Sequence, residues 1–439
     1  MGGNSSGTWE TAKLADLCDA VDYGYTQSAS EVPVGPHFLR ITDIVSGHID
    51  WSTVPYCCVD PAMENKYRLA DGDIVIARTG ATTGASAFIK SPPVAVFASY
   101  LVRLKLGKRA DARFISYCLQ SEFFWDQVRG VLGDKSAQPN ASAKTLTQAD
   151  IPVPSLPEQR AIARVLGSLD DKIELNRRMN QTLEQIAQAL FKSWFVDFDP
   201  VRAKAEGRWK KGESLPGMPA DMWDLWPKEF EESELGEIPK GWEVVRLSDI
   251  CTTQYGYTAS ASRADIGPRL LRVTDINKSP WVDWSSVPYC PISAEEFEKY
   301  SLREGNIVVA RMADPGKSAI IEGTVRAVFA SYLVRLKTDS LARAYYTFYF
   351  LRSDSYLDYA RGARSGSVQS NMNAKVIVDV PYLDPPRSLL EALLDRVRPL
   401  RQRITGNLVE CSTLASARDA LLPKLLSGEI RVPVDGGAR

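Results

Sequence analysis

With 439 residues, 44% of them hydrophobic and 24% charged, the chain has ordinary globular composition and length enough for more than one core. No run of about 18 apolar residues occurs, which excludes a membrane-spanning helix, and the opening MGGNSSGTWE predicts no secretory leader. A formal net charge of −1 and a pI near 6.3 give none of the overall basic footprint usual in nucleic-acid binders, so a role on DNA would need local basic faces or help from partner subunits.

In chain order, the first predicted unit opens with Trp9 and an alternating apolar stretch to Leu17. Short strand-like runs follow at Ile74-Val75-Ile76 and Phe97–Leu104, separated by Gly, Pro and Asp turns. A helix is expected near Phe114–Val128, and Ile151-Pro152-Val153-Pro154-Ser155-Leu156-Pro157 ends the globular pattern. From Glu158 the period becomes helical. Ile162, Leu169, Asn176, Leu183 and Leu190 fall seven apart, with Val165, Leu166, Ile173, Met179 and Ile186 between them. Sustained heptads predict a coiled coil, and a polar residue in the seam fixes register at a cost in stability. Residues 200–240 form a linker rich in Pro, with Trp209, Trp223 and Trp226 expected to pack against something.

A second unit then repeats the first. AVFASYLVRLK stands at residues 95–105 and again at 327–337. Tyr23-Gly24-Tyr25-Thr26 recurs as Tyr255-Gly256-Tyr257-Thr258, and Leu39-Arg40-Ile41-Thr42-Asp43-Ile44 as Leu271-Arg272-Val273-Thr274-Asp275-Ile276. Asp50-Trp51-Ser52 recurs as Asp283-Trp284-Ser285, and Ile74–Arg78 as Ile307–Arg311. The expected helix recurs near Ala344–Tyr359. After Asp384-Pro385-Pro386 a second heptad run carries Leu390, Val397, Ile404 and Cys411, with Leu393, Leu400, Asn407, Leu414 and Leu421 on the other seam. The chain is therefore a tandem duplication of mixed α+β units, each followed by a long helix. Two similar helices after two similar domains predict a pseudo-twofold molecule, the helices pairing antiparallel; about 40 residues make a rod of roughly 60 Å. The predicted boundaries are 1–154, first domain; 155–199, first spacer helix; 200–240, linker; 241–382, second domain; 383–430, second spacer helix; and 431–439, tail. AVFASYLVRLK is expected to be a buried framework strand in both domains.

Catalytic chemistry is sparse. The two histidines, His37 and His48, both lie in the first copy and read as exposed loop residues, so no histidine mechanism is shared by the copies. The seven cysteines lack C-x-x-C spacing and read as reduced thiols of a cytoplasmic protein; Cys18/Cys251 and Cys57/Cys290 are expected to fill equivalent core slots. Gly316-Lys317-Ser318 resembles the end of a phosphate loop, but Met312 and Arg311 stand where its first glycine belongs. Asp384-Pro385-Pro386-Arg387 lacks the aromatic residue of the amino-methyltransferase signature. Asp60 with Glu64 and Lys66 suggests a metal-nuclease set that the second copy does not repeat.

What remains are polar loops after shared strands. Arg78, Thr79, Thr82 and Thr83, with Tyr25, Ser28 and Arg40, are the candidate DNA contacts of the first copy. Arg311, Lys317, Tyr257, Ser260 and Arg272 are those of the second. A further polar loop carries Lys135, Ser136, Gln138 and Asn140, paralleled by Arg364, Ser367, Gln369 and Asn371. Such loops bring hydroxyls and amides to phosphates, and arginine can bind a guanine edge bidentately. The copies agree on strands and diverge in loops, as two readers of different short sequences would.

Leu190-Phe191-Lys192-Ser193-Trp194-Phe195-Val196-Asp197-Phe198-Asp199-Pro200 and Leu235-Gly236-Glu237-Ile238-Pro239-Lys240-Gly241-Trp242 resemble the central region of specificity subunits of type I restriction–modification systems. Pro154–Gln159 and Leu421–Gly428 are similar to the family as well. Gly7-Thr8-Trp9-Glu10 departs from it, lacking the Pro-Lys-Gly before Trp. The resemblance implies two target-recognition domains, each reading half of a bipartite asymmetric site on double-stranded DNA. It implies an antiparallel coiled coil that sets the spacer and docks two modification subunits, joined by restriction/motor subunits, with no membrane partner. It further implies a non-catalytic chain without a cofactor of its own. S-adenosylmethionine would sit on the modification subunit, and ATP and Mg on the motor-nuclease subunit. The alternatives are a self-contained nuclease or methyltransferase, and a protein-binding assembly scaffold.

Overall fold

A computed structural model of the chain describes residues 9–45, 47–132, 140–277, 279–364 and 372–433. In the first copy the strands are β1 (Cys18–Tyr23), β2 (His37–Leu39), β3 (Ile74–Ala77), β4 (Ser86–Phe88), β5 (Ala95–Phe97) and β6 (Leu101–Leu106). Besides the short helices Ile41–Ile44 and Pro61–Tyr67, its helices are α1 (Ala112–Cys118), α2 (Glu122–Leu132), α3 (Ala143–Thr147) and the long α4 (Leu156–Phe195). The second copy repeats them as β7 (Thr252–Tyr255), β8 (Arg269–Leu271), β9 (Ile307–Ala310), β10 (Ser318–Ile320), β11 (Ala327–Phe329) and β12 (Leu333–Lys337). Its helices are α5 (Leu341–Phe350), α6 (Asp354–Arg364), α7 (Ala374–Val378) and the long α8 (Arg387–Leu426). Where the sequence pattern predicts one helix after the sheet, each copy has two, broken at Leu119–Ser121 and Leu351–Ser353. The apolar period runs through the break, which is why it reads as continuous.

Each copy holds a four-stranded antiparallel sheet, β1-β6-β3-β4 and β7-β12-β9-β10, beside a parallel pair, β2-β5 and β8-β11. The central strands are apolar throughout because both faces are covered. Ile74 and Ile76 pack towards the helices, while Val75 and Ala77 pack towards the layer of the parallel pair. Ile307 and Val309 divide from Val308 and Ala310 in the same way. The first residues of each copy pair with its last: Thr11–Lys13 with Asp150–Pro152, and Glu243–Arg246 with Pro381–Asp384. That closure delivers the chain to the start of each long helix.

By contacts the chain forms two compact units, Met1–Ile173 with Thr413–Arg439, and Glu174–Ser412. In the first, Ile162, Ala163 and Leu166 of α4 and Leu425 and Leu426 of α8 join the core of the first copy. Gln159 fastens α4, donating to the Arg109 and Pro154 carbonyls and accepting from Asp111 N at 2.8 Å. Asp170 takes Arg418 at 2.7 Å and the Tyr117 hydroxyl at 2.5 Å, and Asp171 takes Arg113 at 2.6 Å and Lys90 at 2.7 Å.

In the second unit the rest of α4 runs antiparallel to the first part of α8. Asn176 donates to Glu410 at 2.9 Å, Asn407 to Asn180 at 2.7 Å, and Arg401 to Glu184 at 2.7 Å, so numbers fall on one helix as they rise on the other. Arg401 is fully buried and also pairs with Glu322 at 2.7 Å, to which the Tyr345 hydroxyl donates at 2.9 Å. The seam departs from the expected heptads in one stretch. Asn180 and Ala187 are buried, whereas Met179 is half-buried and Ile186 is 49% exposed. Counting only apolar residues steers the pattern to Met179 and Ile186, while the helix keeps Leu166, Ile173, Asn180, Ala187 and Trp194 in line. Residues 200–240 do pack. Trp209 and Trp226 are buried, Trp226 lies 5.6 Å from Trp194 and 5.9 Å from Trp242, and the Lys204 ammonium donates to the Trp223 and Trp226 carbonyls at 2.7 and 2.6 Å. Among the described residues no helix is long and apolar enough to cross a membrane.

Candidate nucleic-acid interface

The shared framework brings three strand ends together in each copy. Gly24 N donates to the Leu101 carbonyl at 3.2 Å, and Arg78 N to the Tyr100 carbonyl at 3.0 Å. Gly256 N and Arg311 N do the same to Leu333 and Tyr332, at 3.2 and 3.0 Å. The Tyr-Gly-Tyr-Thr repeat is explained here. A Cβ on Gly24 or Gly256 would lie 2.2 Å from the Ala98 or Ala330 carbonyl oxygen, so only glycine fits.

Arg78 is held at this junction. Its guanidinium lies 4.9 Å from the Tyr23 ring centroid and donates to the Asn140 side chain at 3.1 Å and the Ala141 carbonyl at 3.3 Å. The Tyr23 hydroxyl accepts from Ala143 N at 2.9 Å, at the start of α3. In the second copy Arg311 lies 4.9 Å from the Tyr255 ring, whose hydroxyl accepts from Ala374 N at 2.9 Å, at the start of α7. Each arginine thus stands beside the start of the short helix, through the tyrosine that holds its first amide. Of that loop, Asn140 is exposed and described, and Arg364 closes α6. Lys135, Ser136, Gln138, Ser367, Gln369 and Asn371 lie outside the described residues.

The other candidates differ in availability. Ser28 and Ser260 are exposed, Thr79, Thr82 and Lys317 half-buried, and Thr83 buried with its hydroxyl donating to the Gly80 carbonyl at 2.8 Å. Thr79 forms a backbone bridge with Asn140, which joins the two variable loops. Tyr25 packs on Tyr67 at 5.3 Å and Tyr257 on Tyr300 at 5.4 Å. Arg40 and Arg272 pair with Asp43 and Asp275 at 3.0 and 2.8 Å, and those carboxylates also cap Arg40 N and Arg272 N at 2.8 Å. The hydrogen bond to its carboxylate raises each guanidinium pKa.

The decoys resolve into structure. Asp60 caps a short helix through Ala62 N and Met63 N. Gly316-Lys317-Ser318 enters β10, with Ser318 buried. His37 is not a loop residue: it lies in β2, its Nδ1 is 2.9 Å from the Val54 carbonyl, and its ring stacks 4.4 Å from Tyr56. No group of carboxylate, His and Cys side chains that could hold a metal occurs among the described residues.

Sequence reasoning missed an exposed set common to both copies. Within AVFASYLVRLK, Tyr100 is 60% exposed and Tyr332 56%, at the turn between the two strands. Tyr23 and Tyr255 are 45% and 43% exposed, and Lys144 and Lys375, one residue past the tyrosine-bonded amides, are exposed too. The available signal was the Ser-Tyr pair interrupting two β-rich runs, which marks a turn.

A family model described as the type I restriction modification DNA specificity domain matches residues 6–185. The HindI specificity subunit of Haemophilus influenzae is 26% identical over 330 residues, 66% of this chain and 71% of that protein. The MjaIX specificity subunit of Methanocaldococcus jannaschii is 28% identical over 327 residues, 73% of this chain and 69% of that protein. A crystallised type I restriction–modification S subunit from M. genitalium shares the fold, with a TM-score of 0.50 across 97% of this chain and 98% of that one at 13% identity. The matched domain spans the first copy and much of α4, and the second copy repeats its framework strand for strand; residues 6–185 match the type I restriction modification DNA specificity domain, and the chain is similar over 66% and 73% of its length to these two type I specificity subunits.

Proposed function

We infer that this chain supplies DNA sequence recognition to a type I restriction–modification complex, each globular copy reading one half of a bipartite site. One observation carries the reading: two copies keep the same buried strands and diverge in the exposed loops set on them. In the first copy Ser28, Thr79, Thr82 and Asn140 are the base-reading candidates, with Gln138 and Lys135 on the same loop. In the second they are Ser260, Lys317, Gln369 and Asn371. Arg78 and Arg311 root these loops, and Arg40 and Arg272 are further candidate DNA contacts, each held in an ion pair with its own aspartate. The antiparallel pairing of α4 with α8 supports a spacer between half-sites and a docking surface for modification subunits. Catalysis in this reading belongs to those partners, with S-adenosylmethionine on them and ATP and Mg on a motor subunit.

Methylome sequencing of a host carrying this chain with its modification partner tests the reading. A single bipartite methylated motif is expected, and its absence with both proteins expressed overturns it. Arg78→Ala in the assembled complex is expected to cost roughly 1–3 kcal/mol of site affinity and to relax one half-site only. Methyl transfer or metal-dependent cleavage by the purified chain alone would instead favour a self-contained enzyme.

A further inference from the structure

We propose that Tyr100 and Lys144, with their counterparts Tyr332 and Lys375, form a sequence-neutral contact by which each copy grips the sugar–phosphate backbone. The inference rests on the DNA-reading function above and goes beyond it, because these residues are the ones the copies share.

The longest repeat carries an oddity. Most of AVFASYLVRLK is buried, including Arg103 and Arg335, and burial accounts for its identity. Burial does not account for Tyr100 and Tyr332, at 60% and 56% exposure. An exposed aromatic side chain at a turn contributes little to folding, so identity there points to a common surface task. The surroundings repeat as well. The Tyr100 carbonyl accepts from Arg78 N and the Tyr332 carbonyl from Arg311 N, each at 3.0 Å. Each arginine stacks 4.9 Å from a half-exposed tyrosine that holds the first amide of α3 or α7. Lys144 and Lys375 follow that amide directly and are exposed. Arg78 and Arg311 connect these features in each copy, so an exposed tyrosine, an exposed lysine and a guanidinium are built on the same junction twice.

The chemistry selects the occupant. Two domains that read different bases both meet the phosphodiester backbone, which is the same at every sequence. Tyrosine hydroxyls and lysine ammonium groups are ordinary donors to its oxygens, and such contacts fix register without carrying sequence information. The chain has no overall basic footprint, so its positive contacts must be local, as those of this junction are.

The test uses the chain assembled with its modification subunits and two duplexes, one with the methylated motif and one with the same bases scrambled. Tyr100→Phe and Tyr332→Phe are each expected to weaken binding about two- to tenfold on both duplexes, leaving their ratio and the methylated motif unchanged. Lys144→Gln and Lys375→Gln are each expected to lower the slope of log affinity against log salt by about 1. Unchanged affinity and slope in all four variants overturns the proposal. So does a loss confined to the motif duplex, which would make these residues base readers. Failure of the DNA-reading function itself would appear differently, as no preference of the wild-type complex for the motif duplex.

Discussion

Arg103 and Arg335 occupy one buried position in the two copies but meet different partners. Arg103 pairs with Asp22 at 2.6 Å, with Asp73 at 3.9 Å. At Arg335 the matching residues are Gln254 and Asn306, and the guanidinium donates to Gln254 Oε1 and to the Ser301 carbonyl at 2.6 Å. Burial without a carboxylate lowers the Arg335 pKa. Asp22→Asn should therefore destabilise the first copy by about 2 kcal/mol, and Gln254→Glu should stabilise the second by about 1 kcal/mol, read by urea denaturation. The thiols also follow the duplication. Cys18 and Cys251 donate to the Leu14 and Leu247 carbonyls at 3.2 and 3.3 Å, and Cys57 and Cys290 are fully buried. Burial pushes Cys18 and Cys57 up to about 11 and Cys251 to about 12. Exposed Cys58 should thus be the fastest to react with a disulfide reagent at neutral pH, and Cys58→Ser should remove that phase.

The long helices show which parts of an element sequence can foretell. Leu390, Val397 and Ile404 are buried where the heptads put them, as are Asn176 and Asn407. Apolar spacing is legible because water drives those side chains inward whatever they meet. Asn180, Glu184 and Arg401 are buried too, yet nothing local marks them, since each needs a partner distant in sequence. Arg401→Ala would leave Glu184 and Glu322 without their shared cation and should cost about 3–5 kcal/mol in thermal or chemical denaturation, whereas Arg401→Met should cost less. The candidate interface divides similarly. Repetition and strand–loop order located the Arg78 and Arg311 junctions. The clamp of each arginine by a tyrosine ring, and the burial of Thr83, follow from packing that spacing does not encode.

At the scale of the whole molecule the duplication invites the view that its halves are interchangeable parts, and the ion pairs oppose it. Lys90 and Glu322 stand two residues past the same strand in the two copies, after β4 and β10. Lys90 meets Asp171 at 2.7 Å, while Glu322 meets Arg401 at 2.7 Å. Alignment of Ile173 with Ile404 and Asn176 with Asn407 sets Asp170 at the helix place of Arg401. The two sockets are thus keyed with opposite polarity. Transplanting the second globular copy onto the first helix would bring Glu322 towards Asp170 and Asp171. Such a chimera should melt lower than the parent, and Glu322→Lys within it should recover most of the loss. Recombination that shuffles these domains between genes would then succeed where the donor carries the matching sign, so that a residue paired with a helix restricts which new specificities a lineage can acquire.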